Sequence, residues 1–227
     1  PALAATYKYV AERLRFEMDA KINELFKNIK ESEDPIYVPI KEIAEKYNDG
    51  RPIKVVANLP YYITTPIIMN FIEANLPVDA YVMMMQKEVA ERMTASPGSK
   101  NYGSLTVAID YYTEAEISFI VPRTVFVPQP NVDSAVLKLK RREEPKVAVD
   151  NETFYFRVTR GSFQHRRKTL WNNLMGIFGK SDEAKEALRA ALETVGIEGS
   201  RRAETLSIEE FALLANELYK IDILKNI

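Results

Sequence analysis

Apolar residues recur along this chain with two different periods, and the change from one to the other divides it. Short apolar runs at residues 53–57, 80–85, 116–121 and 135–139 have the length and the β-branched or aromatic content of strands. In the last of these Ala135, Leu137 and Leu139 alternate with polar neighbours, the period of a half-buried strand. Between the runs, residues 66–74 and 86–95 carry helical spacing. Residues 105–112 fit either state, and Leu105, Ala108, Tyr111 and Tyr112 tip the reading towards helix. Met83, Met84 and Met85 continue a buried strand, where core packing is their expected role. Strands alternating with helices predict an α/β domain over residues 1–143. After the charged hinge Arg141-Arg142-Glu143-Glu144-Pro145 the pattern is helical to the end, which predicts a small all-helical domain over residues 144–227. There Ala184, Ala187, Leu188, Ala191, Leu192 and Val195 keep the 3.6-residue period and Gly196 supplies a left-handed stop. Ser207 and Glu210 form a capping box, with Leu206 and Phe211 at the staple positions.

One strand ends in an unusual corner. Val55-Val56-Ala57 runs into Asn58-Leu59-Pro60-Tyr61, which would project an amide, a proline-fixed carbonyl and an aromatic face into one cleft. Such groups can hold a planar base by its exocyclic amine. Asn58 Oδ1 and the main-chain carbonyl of Leu59 or Pro60 would accept the two N–H bonds of an adenine amine, and Tyr61 would stack on the ring, a contact worth roughly 1–3 kcal/mol. Accepting both bonds favours a more pyramidal, more nucleophilic nitrogen. If the methyl donor is a sulfonium, its leaving group departs neutral and neither a metal nor an activated side-chain nucleophile is required. The tetrapeptide also reads as an ordinary strand-to-loop turn. A second segment, Phe126-Val127-Pro128-Gln129-Pro130 followed by the strand at 135–139, could hold Phe126 as a rigid second stacking wall, because two prolines stiffen the loop. Taken alone, Phe126 is equally well a core residue.

Composition sets limits on these readings. With 227 residues and 46% hydrophobic content the chain can bury a sizeable core. It has no cysteine, so disulfides and thiolate metal sites are excluded, and the single His165 cannot seed a typical zinc site. No apolar run is long enough to span a bilayer, and a cytoplasmic protein without membrane contact is the expectation. The net charge of −1 hides an asymmetry: residues 138–180 hold eleven basic and four acidic side chains, so this segment is +7 and the remainder −8. A basic stripe is the electrostatic footprint expected for phosphate binding. Arg141, Arg142, Arg160, Arg166, Arg167 and Lys168 are its candidate RNA contacts, while the interleaved Phe154, Tyr155, Phe156, Phe163 and Trp171 are expected to face the core.

Together these motifs resemble one family. The corner at Asn58, the segments Gln86-Lys87-Glu88-Val89-Ala90-Glu91-Arg92 and Tyr102-Gly103-Ser104-Leu105, residues 126–136, Phe163-Gln164-His165-Arg166-Arg167-Lys168-Thr169-Leu170 and Leu206-Ser207-Ile208-Glu209-Glu210-Phe211 are similar, in order, to the ribosomal RNA adenine N6-dimethyltransferases of the KsgA type. The resemblance implies a Rossmann-like S-adenosylmethionine-dependent domain with a helical RNA-binding appendage, acting as a monomer. It implies dimethylation of two adjacent adenosines in a 3′-terminal hairpin loop of small-subunit ribosomal RNA, with the pre-assembled small subunit as substrate. It further implies catalytic roles for Asn58, Leu59, Pro60, Tyr61 and Phe126, a ribose contact for Glu17, a cofactor contact for Asn58, and RNA backbone contacts for Arg166, Arg167 and Lys168. No metal is implied.

The cofactor side departs from the family pattern. Such enzymes cradle S-adenosylmethionine on a glycine-rich loop, yet this chain has no G-x-G and its first glycine is Gly50. The acidic residue near the cofactor adenine cannot be placed, because Glu42 sits in no recognisable motif. Either the natural chain carries further residues here, so that neighbours within 1–52 are not true neighbours, or the cofactor loop is missing. Residues 2–12 look like the remnant of a first helix, which favours the first reading. Two other functions stay open: a non-catalytic RNA-binding ribosome-assembly factor, and a large-subunit methyltransferase of the macrolide-resistance type.

Overall fold

The structure is a computed structural model that describes residues 37–58, 64–74 and 76–225. It divides into two compact units, Pro1–Ile53 with Ala74–Pro77, and Lys54–Glu73 with Val78–Ile227. In the first, helix α1 (Tyr37–Asn48) ends in two residues of positive φ, Asp49 and Gly50, where the Gly50 N–H donates to the Ala44 carbonyl at 3.0 Å. Strand β1 (Ile53–Asn58) begins here, with the Ile53 N–H donating to the Pro77 carbonyl at 2.9 Å.

The second unit is built on a four-stranded sheet of order β1-β2-β4-β3, comprising β2 (Val78–Gln86), β3 (Thr113–Val121) and β4 (Ser134–Arg141) beside β1. Helix α2 (Thr64–Glu73) connects β1 to β2, a crossover long enough for parallel neighbours, and the adjacent starts of the two strands at Ile53 and Pro77 agree with that direction. Strand β4 lies antiparallel between β2 and β3, so β2 and β3 run the same way. Alternation does what the sequence expects: Ala135, Leu137 and Leu139 of β4 and Met83 and Met85 of β2 are buried. Tyr81 stacks on Phe71 and donates its hydroxyl to the Phe71 carbonyl at 2.9 Å, and burial pushes its phenol up to about 12. Edge strand β3 carries a bulge between Ile117 and Phe119.

Every strand expected from the sequence is present and one or more residues longer. The helix expected at 86–95 is shorter, α3 (Lys87–Met93), because Gln86 still pairs with Ser134 in the sheet. The ambiguous 105–112 segment is helix α4 (Ser104–Tyr112), held at its start by the Gly103 N–H, which donates to Thr106 Oγ1 at 3.2 Å.

From residue 152 the chain is helical: α5 (Glu152–Ser162), α6 (Leu170–Phe178), α7 (Asp182–Thr194), α8 (Ile208–Tyr219) and α9 (Asp222–Lys225). Asn151, Thr169, Ser181 and Ser207 cap α5 to α8 with side-chain oxygens on main-chain N–H groups. The capping box at Ser207 is reciprocal, and Leu206 and Phe211 are fully buried beside it. Phe154, Tyr155 and Phe156 are core residues, with Phe163 and Trp171 packed partly buried against the same cluster. That cluster includes Val107, Ala108 and Tyr111 of α4, so the helical region and the sheet's own helix share one hydrophobic core. The intervening strap is pinned: Arg142 N–H donates to Tyr112 O at 2.9 Å, Lys146 N–H to Tyr111 O at 3.0 Å, and Asp150 N–H to Asn216 Oδ1 at 2.8 Å.

Candidate active site and nucleic-acid interface

The sheet brings two of the sequence motifs to one edge. Gln86, Ser134 and Val121 are aligned across β2, β4 and β3, so the loop from 122 to 133 leaves the sheet where β2 ends. Asn58 closes the parallel strand β1 at this end and is exposed. Counting equal steps from the Ile53–Pro77 contact sets Asn58 back from the end of β2 by four residues, about 13 Å at the strand rise. The carboxyl edge of such a sheet is where α/β folds bind ligands. Strand β4 lies two places from β1, about 10 Å away. Leu59, Pro60 and Tyr61 lie outside the described residues, as does Glu17.

Phe126 is half-buried on a braced loop. The Arg123 N–H donates to Asp133 Oδ1 at 2.9 Å, Arg123 Nη1 to the Asn131 carbonyl at 3.3 Å, and the Phe126 N–H to the Arg123 carbonyl at 3.3 Å. The Val127–Pro128 peptide is cis, and Val127 is 93% exposed at the tip. Local hydrogen bonds thus close the loop from both ends, so its aromatic ring is carried on a short, stiff arm.

Beside this loop an open groove of about 1070 Å³ follows the end of β2 and the start of α3. Lys87, Glu88 and Glu91 line one side, residues 95–101 another, and Arg123, Asn131 and Asp133 the third. The charges of α3 read from sequence as an ordinary solvated face. Their role as a groove wall comes from the 122–133 loop packing opposite, where the Lys87 N–H donates to the Asp133 carbonyl at 3.0 Å. No periodicity in the sequence reports that contact.

The candidate RNA contacts fall into distinct environments. Arg142 pairs with Asp110 at 3.4 Å and Glu114 at 3.2 Å, and Arg160 pairs with Glu73 at 3.0 Å while lying over the Phe156 ring. Half-buried Arg141 bears on the phenol of Tyr81. Arg166 donates Nε to Glu204 Oε2 at 2.9 Å and Nη2 to the Lys100 carbonyl, so its guanidinium holds the turn at residues 96–101. Arg167 and Lys168 are exposed, and neither makes a side-chain ion pair among the described residues. Five basic side chains of the +7 segment, Lys138, Arg142, Lys146, Arg160 and Arg166, are thus paired with acids lying outside it, and Arg167 and Lys168 are adjacent exposed cations between α5 and α6. That loop is fixed by Asn173, a buried amide that accepts from the His165 N–H at 3.1 Å and donates to the His165 carbonyl at 3.2 Å. Sequence reading missed Asn173. A pair of amides, Asn172 and Asn173, among apolar neighbours in 170–178 was its only signal. The His165 side chain itself is exposed, and no metal-holding cluster occurs among the described residues.

Fit to S-adenosylmethionine can be tested at the glycines. Gly50, Gly98, Gly179 and Gly196 have positive φ, and a Cβ on any of them would meet nothing within 4 Å. At these four positions the glycine answers to a left-handed backbone and not to close packing against the protein. Among the described residues the exposed Asn58 amide closes β1, and no G-x-G motif is present in the sequence to cradle the cofactor.

Residues 11–220 match the family model of ribosomal RNA adenine dimethylases. The chain belongs to this family. It is 50% identical over 231 residues to ribosomal RNA small subunit methyltransferase A of Streptococcus pneumoniae strain P1031, an alignment covering 96% of this chain and 80% of that protein. The same figures hold for the protein of that name from serotype 2 strain D39. Among solved structures it resembles a dimethyladenosine transferase from Plasmodium falciparum, with TM-score 0.61 and 26% identity over 74% of this chain and 66% of that one. It also resembles the 23S rRNA methyltransferase ErmE, with TM-score 0.56 and 27% identity over the same shares. Both likenesses fit a Rossmann-like methyltransferase sheet with a helical region following it, the architecture expected of an rRNA adenine dimethylase.

Proposed function

We propose that this chain dimethylates the N6 atoms of two adjacent adenosines in a 3′-terminal hairpin loop of small-subunit ribosomal RNA, within the pre-assembled subunit in the cytoplasm, as a monomer. S-adenosylmethionine, the donor this family implies, would supply an electrophilic methyl group whose leaving group departs neutral. Asn58 Oδ1 would accept one N–H of the target amine and the following carbonyl the other, keeping the nitrogen lone pair out of the ring. Tyr61 and Phe126 would sandwich a base swung out of its stack, the step that lets an enzyme reach an exocyclic amine. The observation that carries this reading is the exposed Asn58 at the carboxyl edge of the sheet, on the edge from which the braced Phe126 loop departs. We assign the sheet region 1–143 to methyl transfer and residues 144–227, with Arg167 and Lys168, to the RNA backbone. Arg141, Arg142, Arg160 and Arg166 are secondary RNA contacts in this scheme, since each is already engaged within the protein.

Asn58→Ala is expected to abolish methyl transfer while leaving RNA affinity within about a few-fold, because phosphate contacts dominate affinity. Unchanged turnover would remove Asn58 from the mechanism. Primer extension on both ribosomal RNAs distinguishes a small-subunit from a large-subunit target, and the 50% identity to proteins named for the small subunit supports the former. The absence of a G-x-G motif supports one competing reading, a non-catalytic assembly factor. Calorimetric titration with S-adenosylmethionine decides it: binding supports the enzyme, and no binding supports the factor.

A further inference from the structure

We propose that the groove between α3, the 96–101 turn and the 122–133 loop holds the unpaired RNA nucleotides adjoining the target adenosine and reads their base edges. This rests on the adenosine-methylating function proposed above. The groove opens beside the loop that carries Phe126, so a strand whose adenosine stacks on Phe126 has its neighbouring nucleotides within reach. At about 1070 Å³ and open along its length, it has room for more than one nucleotide.

Its lining chemistry selects the ligand. Gln86, Asn101 and Asn131 contribute amides, and Ser96 and Ser99 hydroxyls. Among the described residues none of these side chains has a hydrogen-bond partner within the protein, so each offers both a donor and an acceptor to the groove. Paired donors and acceptors at fixed positions match the edges of nucleobases. The charges point the same way. Lys87, Lys100 and Arg123 are balanced by Glu88, Glu91 and Asp133, with Lys87 3.7 Å from Glu91 and Asp133 bound to the Arg123 N–H. A neutral groove gains little from polyanion attraction, so it contributes selectivity for sequence and leaves bulk affinity to the exposed cations between α5 and α6.

The wall at 96–101 is not held by secondary structure. The Gly98 N–H donates to the Glu204 carbonyl at 2.7 Å, and Arg166 bridges Glu204 and the Lys100 carbonyl. Arg166 is therefore a positioning residue: it fixes Asn101 and Lys100 opposite Asn131 from a loop on the far side of the turn.

The test uses hairpin RNAs with 4-thiouridine placed at one position at a time on either side of the target adenosines. Irradiated with the intact chain, at least one position is expected to crosslink to peptides containing residues 95–101 or 131–133. Crosslinks confined to α5, α6 and their loop would overturn the proposal. A second arm compares a variant carrying both Asn101→Ala and Asn131→Ala with the unaltered protein. KM for the hairpin should rise about tenfold, with kcat and the salt dependence of binding unchanged, and the rise should vanish on an RNA abasic at the crosslinking position. An equal loss on abasic RNA would refute base reading. Arg166→Lys should raise KM on base-bearing RNA alone, whereas a purely structural role would move the melting temperature and leave the discrimination intact. Crosslinking needs no turnover: methyl transfer failing while crosslinks map to the groove would sink the catalytic reading and keep this site as an RNA subsite.

Discussion

Glu210 does two jobs with one carboxylate. Its Oε2 accepts from the Ser207 N–H at 2.8 Å, closing the capping box of α8, and both oxygens meet the forked guanidinium of Arg201. That guanidinium holds the Glu210 carboxyl below its ordinary 4.5. A carboxyl depressed in the folded state contributes stability that is complete above its unfolded value and is lost as pH falls through the lower folded one. Glu210→Gln is thus expected to cost about 1–2 kcal/mol in urea unfolding at pH 7, the pair being partly exposed, and the gap to the unaltered protein should close as pH drops well below 4.5. The capping half of this arrangement was legible in the sequence, because Ser-x-x-Glu is a local rule. The Arg201 half was not, since the eight intervening residues must fold back before the two meet. Arg166 teaches the same lesson: in a basic run it reads as a phosphate ligand, yet in the fold it ties two segments together.

Helices α5 and α6 pack so closely that one residue has no room to grow. A Cβ on Gly161, in the last turn of α5, would fall on the Cδ1 and Cγ1 atoms of Ile177. Gly161→Ala should therefore destabilise by about 1–3 kcal/mol, although alanine is the better helix former by about 1 kcal/mol. Calorimetric melting of Gly161→Ala, Ile177→Ala and the double variant would check this, with the double variant less destabilised than the sum of the two singles. At this scale the sequence was most readable. Period-two and 3.6-residue patterns located the strands and helices because burial on one face is a local constraint. Boundaries slipped where pairing overruled pattern, as at Gln86, which pairs with Ser134 and so belongs to β2. The groove was invisible because two of its walls, the 96–101 turn and the 122–133 loop, are irregular, and the helical spacing of α3 does not say what packs opposite its charged face.

For the molecule as a whole, a net charge of −1 and a basic segment in which Lys138, Arg142, Lys146, Arg160 and Arg166 are already paired with acids from elsewhere reduce the cations left for a polyanion. Replacing both Arg167 and Lys168 by alanine should flatten the dependence of log affinity on log salt by about 1.4–1.8, while replacing the ion-paired Arg142 should change it little. Filter binding of a ribosomal hairpin across a salt series measures this. The fold class was readable from the alternation of strand and helix, but the sheet order was not. No local signal says that the last strand made is inserted second from one edge. That insertion has a consequence for how the protein is born. Synthesis proceeds from the N-terminus, so β2 and β3 emerge with their facing edges bare, and neither can be satisfied until residue 141 has left the ribosome. A nascent chain that pauses before Ser134 displays one open edge on β2 and one on β3, the kind of edge that recruits strands from other chains. The strand that completes the sheet is thus also its guard against aggregation, and translation speed through residues 122–141 becomes a determinant of yield.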